Sequence, residues 1–449
     1  FQHIKELDEF DYLTIGLRII GGLLMALGAT GIASINFDDI YNFSAGGFVG
    51  DVLNVEALSP SGEFEWRLPP SKSHTIRFLA LAAQGESECR LRFEGFLGAD
   101  VESMARCLEA MGVEIEREAG SWLVRPPEEG LRAPEGVLDC GNSGAAARIL
   151  TVMAANLEVS VTIDGDESLR RRSSPGLAEV LRELGCQVSS NGLPCEVCGP
   201  VSGGSAVLDV SASSQPLTAL VLASPGFAGA VELALEGEAV SRGYGAMSFD
   251  IAARCGSPNR IAEPLSFVPW RVEVPEVVDI PPELSLFPLA ILLEIIHDDL
   301  RLNTTLPTYD PLMLIAIDAI DRADGGEVDL SDASDLVTPA AAWLALTSGG
   351  TLTGIAHARG KESDRIAGTI EMLATFGLEA QESADGMVIE GGQSLHRPIE
   401  PIETHMDHRL AMTAMVLASK VGGVIVGAEI SEVTHPGFVK QLLALGTNQ

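Results

Sequence analysis

Three stretches of the chain repeat one order of apolar and polar positions. From Met104 to Glu116 an amphipathic helical spacing ends as Leu-Glu-Ala-Met-Gly112, and Val-Glu-Ile then leads toward Trp122-Leu123-Val124. From Leu177 to Val188 the same spacing ends as Leu-Arg-Glu-Leu-Gly185, followed by Cys-Gln-Val. From Ile370 to Ala380 it ends as Leu-Ala-Thr-Phe-Gly377, followed by Leu-Glu-Ala and Met387-Val388-Ile389. Each predicts a helix, a glycine in the left-handed conformation that closes it, and then strands. Weaker echoes run from Phe249 to Val274 and from Asp310 to Asp329, bringing the count toward six. Such units bury one helix face on a sheet, so the pattern predicts an α/β protein of stacked units with its site between domains.

Between these units, polar clusters open further helices. Pro69-Pro70-Ser71-Lys72-Ser73 stops a strand and feeds a helical run from His74 to Ala83, with Arg77 one turn in on the face of Ser73. Cys140-Gly141-Asn142-Ser143-Gly144 precedes a run from Ala145 to Ala155 that carries Arg148, and fits equally a plain strand-to-helix turn. Ser211 to Pro216 precedes Leu217 to Ala223, where Ser214 reads as an ordinary N-cap and Ser213 and Gln215 as ligand candidates. Asp335 reads as a cap before Ala340 to Leu346, a role Asp332 fits equally. Asp407 reads as the cap of Leu410 to Ser419, leaving Arg409 free for a ligand.

Gly360-Lys361-Glu362-Ser363-Asp364-Arg365-Ile366 sets two cations beside carboxylates at a helix start. If the helix begins near Lys361, then Lys361 and Arg365 share a face and tune Glu362. The same residues also fit a solvated, self-paired helix start. Recurring basic clusters favour the chemical reading. Lys, Ser and Arg converging on helix N-termini make phosphate or carboxylate sites, and Arg170-Arg171-Arg172 adds the densest positive run.

Composition limits what these clusters serve. The chain has 449 residues, 46% hydrophobic, and a formal charge of -34, which argues against nucleic acid or an anionic membrane as partner. Only five lysines occur, at positions 5, 72, 361, 420 and 440, and two of them fall inside the clusters above. Seven cysteines form no disulfide framework and fit a reducing, cytoplasmic setting. Cys195-x-x-Cys198 lacks a second pair or a histidine doublet, so no metal is expected. No Walker loop or dinucleotide fingerprint appears.

The first fifty residues differ. Ile19 to Phe37 is uncharged over nineteen residues, about the length of a membrane span. With the following Ile-Asn-Phe-Asp-Asp-Ile-Tyr and Ser-Ala-Gly-Gly it resembles a transmembrane segment of bacterial cell-division DNA translocases. A working anchor, a buried helix and a foreign leader all stay open.

From Val52 onward, Ser-Lys-Ser-x3-Arg, Gly-Asn-Ser-Gly-x3-Arg, Ser-Ser-Gln, Lys-Glu-Ser-Asp-Arg and Asp-His-Arg occur in one order that resembles the 5-enolpyruvylshikimate-3-phosphate synthase family. The resemblance implies two domains, each of three α/β units around a pseudo-threefold, an inside-out barrel closing on substrate. Residues 51–70 with 279–449 would form one domain and 71–278 the other, after a leader over 1–50. It also implies transfer of the enolpyruvyl group of phosphoenolpyruvate to the 5-hydroxyl of shikimate 3-phosphate, in a monomer without metal or organic cofactor. Lys72, Ser73, Arg77, Ser213, Ser214, Ser241 and Tyr244 would bind shikimate 3-phosphate. Lys72, Gly144, Arg172, Gln215, Arg365 and Arg409 would surround phosphoenolpyruvate. Asp335 would lie by the attacking hydroxyl, Glu362 would carry the proton, and Lys361 would be their cationic partner.

The chain departs from the family at several positions. Ala145 replaces a threonine, and Val433-Thr434-His435-Pro436 stands where a lysine is usual, which favours an alternative reading as a non-catalytic or altered-acceptor paralogue that binds anions. His357 replaces a polar or acidic residue, and Asp279-Ile280-Pro281-Pro282 a Ser-Ser-Ala hinge. The lysine and cysteine motifs of the related enzymes that act on a UDP-sugar do not appear.

Overall fold

Six small sheets carry the strands in the computed structural model, which describes residues 52–172, 175–262, 264–306 and 310–446. Ile19 to Phe37, with its competing readings, lies outside the described residues. Among the described residues no helix is long and apolar enough to cross a membrane.

One wiring recurs in three sheets: a parallel first pair, then a third and fourth strand that form an antiparallel hairpin against it. The sheets are Val277–Asp279, Cys89–Arg92, Ser121–Arg125, Glu114–Glu118; Leu138–Asp139, Val161–Asp164, Cys195–Cys198, Gln187–Val188; and Glu327–Asp329, Gly350–Thr353, Met387–Ile389, Ala380–Glu382. Each hairpin comes from one of the three repeated sequences. Their glycines sit at φ of 102° (Gly112), 94° (Gly185) and 76° (Gly377), a left-handed turn that a side chain would strain. The weaker echoes diverge. After the helix Arg242–Arg254, Leu265–Phe267 pairs antiparallel with Val231–Glu236, and Val272 forms an isolated bridge to Gly85. The helix Pro311–Asp321 leads straight into Glu327–Asp329, which opens the next sheet.

The helices sort into an inner and an outer set. Lys72–Ala82, Gly144–Ala154 and Gln215–Ala223 pack on one another, as do Phe287–Ile296, Val337–Leu346 and His408–Val421. These six are buried almost all round, as helices enclosed by other elements are. Each trio is therefore the axis of its half, with sheets outside. This is the two-part α/β arrangement expected from the repeats.

The two halves have separate cores. One runs from Ile76 to Ile280, and the other joins Val55, Trp66 and Leu68 to Leu284 through Leu445. Two strands of chain cross between them side by side. The Ser71 N–H donates to Pro281 O at 2.7 Å, the Glu283 N–H to Pro69 O at 2.8 Å, and Pro70 bridges Pro282. The prolines at 281 and 282 are thus paired backbone in the crossover, with Pro281 supplying a carbonyl that needs no donor in return.

Candidate active site

Every inner helix begins at the junction of the halves, and the candidate residues lie at those beginnings. Lys72, Gly144 and Gln215 are the first helical residues on one side; Asp335 and Arg409 open helices on the other. Unpaired N–H groups and the positive ends of six helix dipoles make this junction favourable for anions.

The spacing argument for Lys361 fails in detail. The helix starts at Arg365, with Asp364 as its N-cap accepting from the Ala367 N–H, so Lys361 and Glu362 lie in the turn before it. They reach the site from a loop and not from a shared helical face. Asp335 is no cap either: it sits in the 3₁₀ turn Ser334–Leu336 with its carboxylate committed elsewhere. Asp332 caps nothing in its own segment. Ser214 occupies the N-cap position without a capping bond, and Ser213 Oγ accepts from the Gln215 N–H at 3.2 Å instead. Asp407 does cap its helix, accepting from the Arg409 N–H at 2.8 Å.

Arg365 is the hub. Its fully buried guanidinium donates to Glu362 Oε2 at 2.5 Å, to Asp335 Oδ1 at 2.9 Å and to Asp407 Oδ2 at 2.9 Å. Arg409 is not free; it donates to Ser285 O at 2.9 Å and Ser285 Oγ at 2.8 Å, and lies 3.5 Å from Asp335. From the opposite half the Tyr244 hydroxyl donates to Asp335 Oδ2 at 2.7 Å, and Arg172 Nη1 stands 3.6 Å from Glu362 Oε1. Lys72 Nζ donates to Asp100 Oδ2 at 2.9 Å.

The charges follow from these contacts. Burial pushes the Glu362 carboxyl up, but Arg365, Arg172 and Lys72 outweigh it and hold it well below the usual carboxylate range. Burial likewise raises Asp335, and Arg409, Lys361 and Arg365 bring it well below. Burial pushes the Lys361 ammonium down, against the pull of Asp335. Burial would do the same to Lys72, but Asp100 and Glu362 keep it above its ordinary value. Burial drives the Tyr244 phenol well up, with Asp335 adding to it.

The cradle around Gly144 is tight. A Cβ there would lie 2.6 Å from Arg148 Nη1 and 3.5 Å from both Arg172 Nη1 and Gln215 Oε1. Of the three consecutive arginines only Arg172 turns inward, donating to Asn142 Oδ1 at 2.7 Å and Ser168 Oγ at 3.1 Å. Arg170 pairs with Asp164 and Arg171 with Glu167 at the surface. Arg77 spends its donors on Ser248 Oγ, Ser73 O, Tyr244 O and Thr218 Oγ1, so it braces the wall that carries Ser73 and Tyr244. Ser241 is buried just before Tyr244. The buried Nε atoms of Arg172 and Arg409 have no protein partner, as expected of donors left for a ligand.

Sequence reasoning missed Asp100, Ser285 and the Asp407–Arg365 pair. Asp100 carried one signal, an acid in the first turn of an otherwise apolar-faced helix, which reads as dipole chemistry. Of the departures, His435 is buried, with both ring nitrogens lacking a hydrogen-bond partner and its ring edge-on to Phe438. Burial pushes its pKa down to about 4, so it replaces no lysine charge. Among the described residues no cluster of histidine, cysteine, aspartate or glutamate is arranged to hold a metal ion.

Solved structures with this arrangement are known. The chain matches EPSP synthase from Acinetobacter baumannii with a TM-score of 0.71 at 21% identity, covering 88% of this chain and 98% of that one. It matches the enolpyruvyl transferase NikO from Streptomyces tendae with a TM-score of 0.69 at 13% identity, covering 88% and 97%. The fold is therefore that of the enolpyruvyl transferases. In sequence, the profile of EPSP synthase (3-phosphoshikimate 1-carboxyvinyltransferase) matches residues 61–258 and 312–442. The 3-phosphoshikimate 1-carboxyvinyltransferase of Methanothermobacter thermautotrophicus is 32% identical over 87% of this chain and 98% of its own length, and that of Halobacterium salinarum 30% identical over 85% and 96%. The chain belongs to the EPSP synthase family.

Proposed function

We propose that this chain transfers the enolpyruvyl group of phosphoenolpyruvate to the 5-hydroxyl of shikimate 3-phosphate and releases phosphate. The observation that carries this reading is the placing of Glu362 between Arg365 and Arg172, beside an Asp335 that takes a hydroxyl donor from Tyr244. Two carboxylates held ionised among cations suit two proton transfers and two anionic substrates.

In this reading Asp335 takes the proton of the attacking 5-hydroxyl as the hydroxyl oxygen bonds to C2 of phosphoenolpyruvate and C3 gains a proton from Glu362. The tetrahedral intermediate then returns a C3 proton to Glu362 as the C–O bond to phosphate breaks, and the proton held by Asp335 leaves with the phosphate. Without ligand Glu362 is too acidic to donate. The carboxylate and phosphate of phosphoenolpyruvate, competing for Arg172, Arg365, Arg409 and Lys72, draw cations from it and raise its pKa toward the working range. Ser73, Ser213, Ser214, Ser241, Tyr244 and Lys361 line the shikimate 3-phosphate side, with Arg77 bracing that wall from behind; Gly144 and Gln215 complete the cradle of the second substrate. A cytoplasmic monomer needing no metal or organic cofactor fits this chemistry.

The neutral His435 beside Val433 supports a second reading, an anion-binding paralogue without turnover. Phosphate release from phosphoenolpyruvate in the presence of shikimate 3-phosphate separates the two. Absence of release, with both compounds bound, selects the second.

A further inference from the structure

The loop that carries Asp335 grips the opposite half at three points. Ser331 O accepts the Ser241 N–H at 2.8 Å, Asp332 Oδ1 accepts the Arg242 N–H at 2.8 Å, and Asp335 Oδ2 accepts the Tyr244 hydroxyl. The Arg242 guanidinium then closes on the Asp332 carboxylate, with Nε 3.0 Å from both oxygens and Nη2 2.6 Å from Oδ2.

These contacts answer a local deficit. The helix Arg242–Arg254 has no capping bond from its own N-cap, Ser241, and no acid in its first turn. Its orphan N–H groups and positive dipole end would otherwise face the junction unsatisfied. Asp332, from a segment ninety residues on, supplies the missing acceptor and the missing negative charge. Ser241 bears a cost for this arrangement. It is left-handed at φ 52°, ψ 41°, a conformation unfavourable for a residue with a side chain. With Ser241 so turned, its own N–H and that of Arg242 both reach residues 331 and 332. A strained backbone held by partners from another part of the chain marks a position under functional constraint.

The helix start is also pinned laterally. A Cβ on Gly243 would stand 3.5 Å from Leu312 Cδ1, so the helix lies against the start of Pro311–Asp321. Arg242 itself is 63% exposed and Asp332 13%, so the ion pair sits at the mouth of the junction, outside the cluster around Arg365.

We propose that Asp332 is a closure latch: a positioning residue that caps the Arg242–Arg254 helix from the opposite half, so that Tyr244 meets Asp335 only when the halves are shut. Its kinetic consequence rests on the enolpyruvyl-transfer reading; its structural consequence does not.

The test uses Asp332→Ala, Asp332→Asn, Arg242→Ala and the Asp332→Ala/Arg242→Ala double variant of the full chain. Three donors on one carboxylate, the guanidinium well exposed, predict a loss of about ten-fold in closure for Asp332→Ala. Shikimate 3-phosphate binding weakens about ten-fold and its KM rises in step. Saturating substrate, which drives closure, restores kcat to within about three-fold, a split that mere destabilisation would not give. Asp332→Asn, which keeps an acceptor for the Arg242 N–H, lies between. The double variant is no worse than Asp332→Ala, since both remove one contact. Affinities within about two-fold of wild type in both single variants, or losses that multiply in the double, overturn the latch.

If the wild-type chain turns over nothing, the enolpyruvyl-transfer reading fails and the latch is still tested. Spin labels on the exposed positions Val137 and Ile399, one in each half, report their separation without ligand. Asp332→Ala then lengthens and broadens the distance distribution. An unchanged distribution overturns the proposal.

Discussion

Arg365 and Asp407 form an ion pair sealed from solvent, 2.9 Å from Nε to Oδ2 with side chains 1% and 0% exposed. Asp407 also caps the inner helix His408–Val421. Asp407→Ala therefore leaves a buried guanidinium short of one charge and a helix short of its cap, and should destabilise by about 3–5 kcal/mol. Asp407→Asn keeps the cap acceptor but loses the charge and turns an amide N–H2 toward Arg365 Nε, so it should fall between. Denaturant unfolding measures both; equal stabilities would show that the charge contributes nothing.

Glu362→Gln preserves shape and removes the group proposed to carry the proton. Turnover should drop by about 10²- to 10⁴-fold, with shikimate 3-phosphate binding within a few-fold of wild type. Single-turnover phosphate release alongside calorimetric binding checks this. A variant with wild-type rate would move the proton transfer to another group.

Acid stability should be governed by histidine. His74 and His408 are pushed to about 3, and His297, His357 and His435 to about 4, in each case chiefly by burial. A group whose folded pKa is depressed binds protons better when unfolded, so its contribution is whole above about pH 6.5 and is lost as pH falls toward the folded value. Stability should decline from pH 6.5 to 4 with up to about 1.4 kcal/mol per pH unit per histidine. Below that window Asp335 and Glu362, also depressed, add further loss as they protonate. Melting temperature against pH tests it, and a flat profile from 6.5 to 4 contradicts it.

Asp100→Asn removes one of the two carboxylates that keep Lys72 protonated. Burial then dominates and the ammonium loses its proton at lower pH. The alkaline limb of the pH profile of kcat/KM should move down in pH, with the acid limb unmoved. An unshifted alkaline limb would show that Lys72 is not the group titrating there.

Gly144→Ala puts a methyl group 2.6 Å from Arg148 Nη1, whose guanidinium is tied to Gly144 O at 2.9 Å. The arginine tip must move. Overpacking of this kind costs about 1–3 kcal/mol, so the KM for phosphoenolpyruvate should rise about ten-fold or more. That for shikimate 3-phosphate should change little. Comparable rises for both substrates would mean a general loss of packing.

What could be read from the chain and what could not divide along one physical line. Gly112, Gly185 and Gly377 announced their units because helix, C-terminal turn and hairpin are local events within about twenty residues. Lys72, Gly144 and Gln215 fall at helix starts, where the chain reads a polar cluster before an apolar run, because a helix N-terminus also leaves a local signature. Asp335 was mistaken for a cap because its true partners, Tyr244 and Arg365, lie 91 and 30 residues away. Arg170 and Arg171 looked equal to Arg172 until Asp164 and Glu167 claimed them. Lys361 lacks the helical face its spacing to Arg365 suggests because the helix is capped by Asp364, three residues beyond it. Pairing across the fold decides such residues, and spacing along the chain does not encode it.

The side-by-side crossover at Pro70 and Pro282 has a consequence for how the molecule comes into being. The core from Ile76 to Ile280 is one uninterrupted stretch, closed at its base by that bridge, whereas the other core needs Val55, Trp66 and Leu68 to wait for residues beyond Leu284. During synthesis the inserted half has all its parts first. The strand Gly62–Glu65, which pairs only with Leu300–Asn303, and Val52–Val55, which pairs only with Gly423–Val426, stay unpaired until the ribosome has passed their partners. The half that supplies Arg365, Glu362 and Asp335 is thus the last to have all its parts.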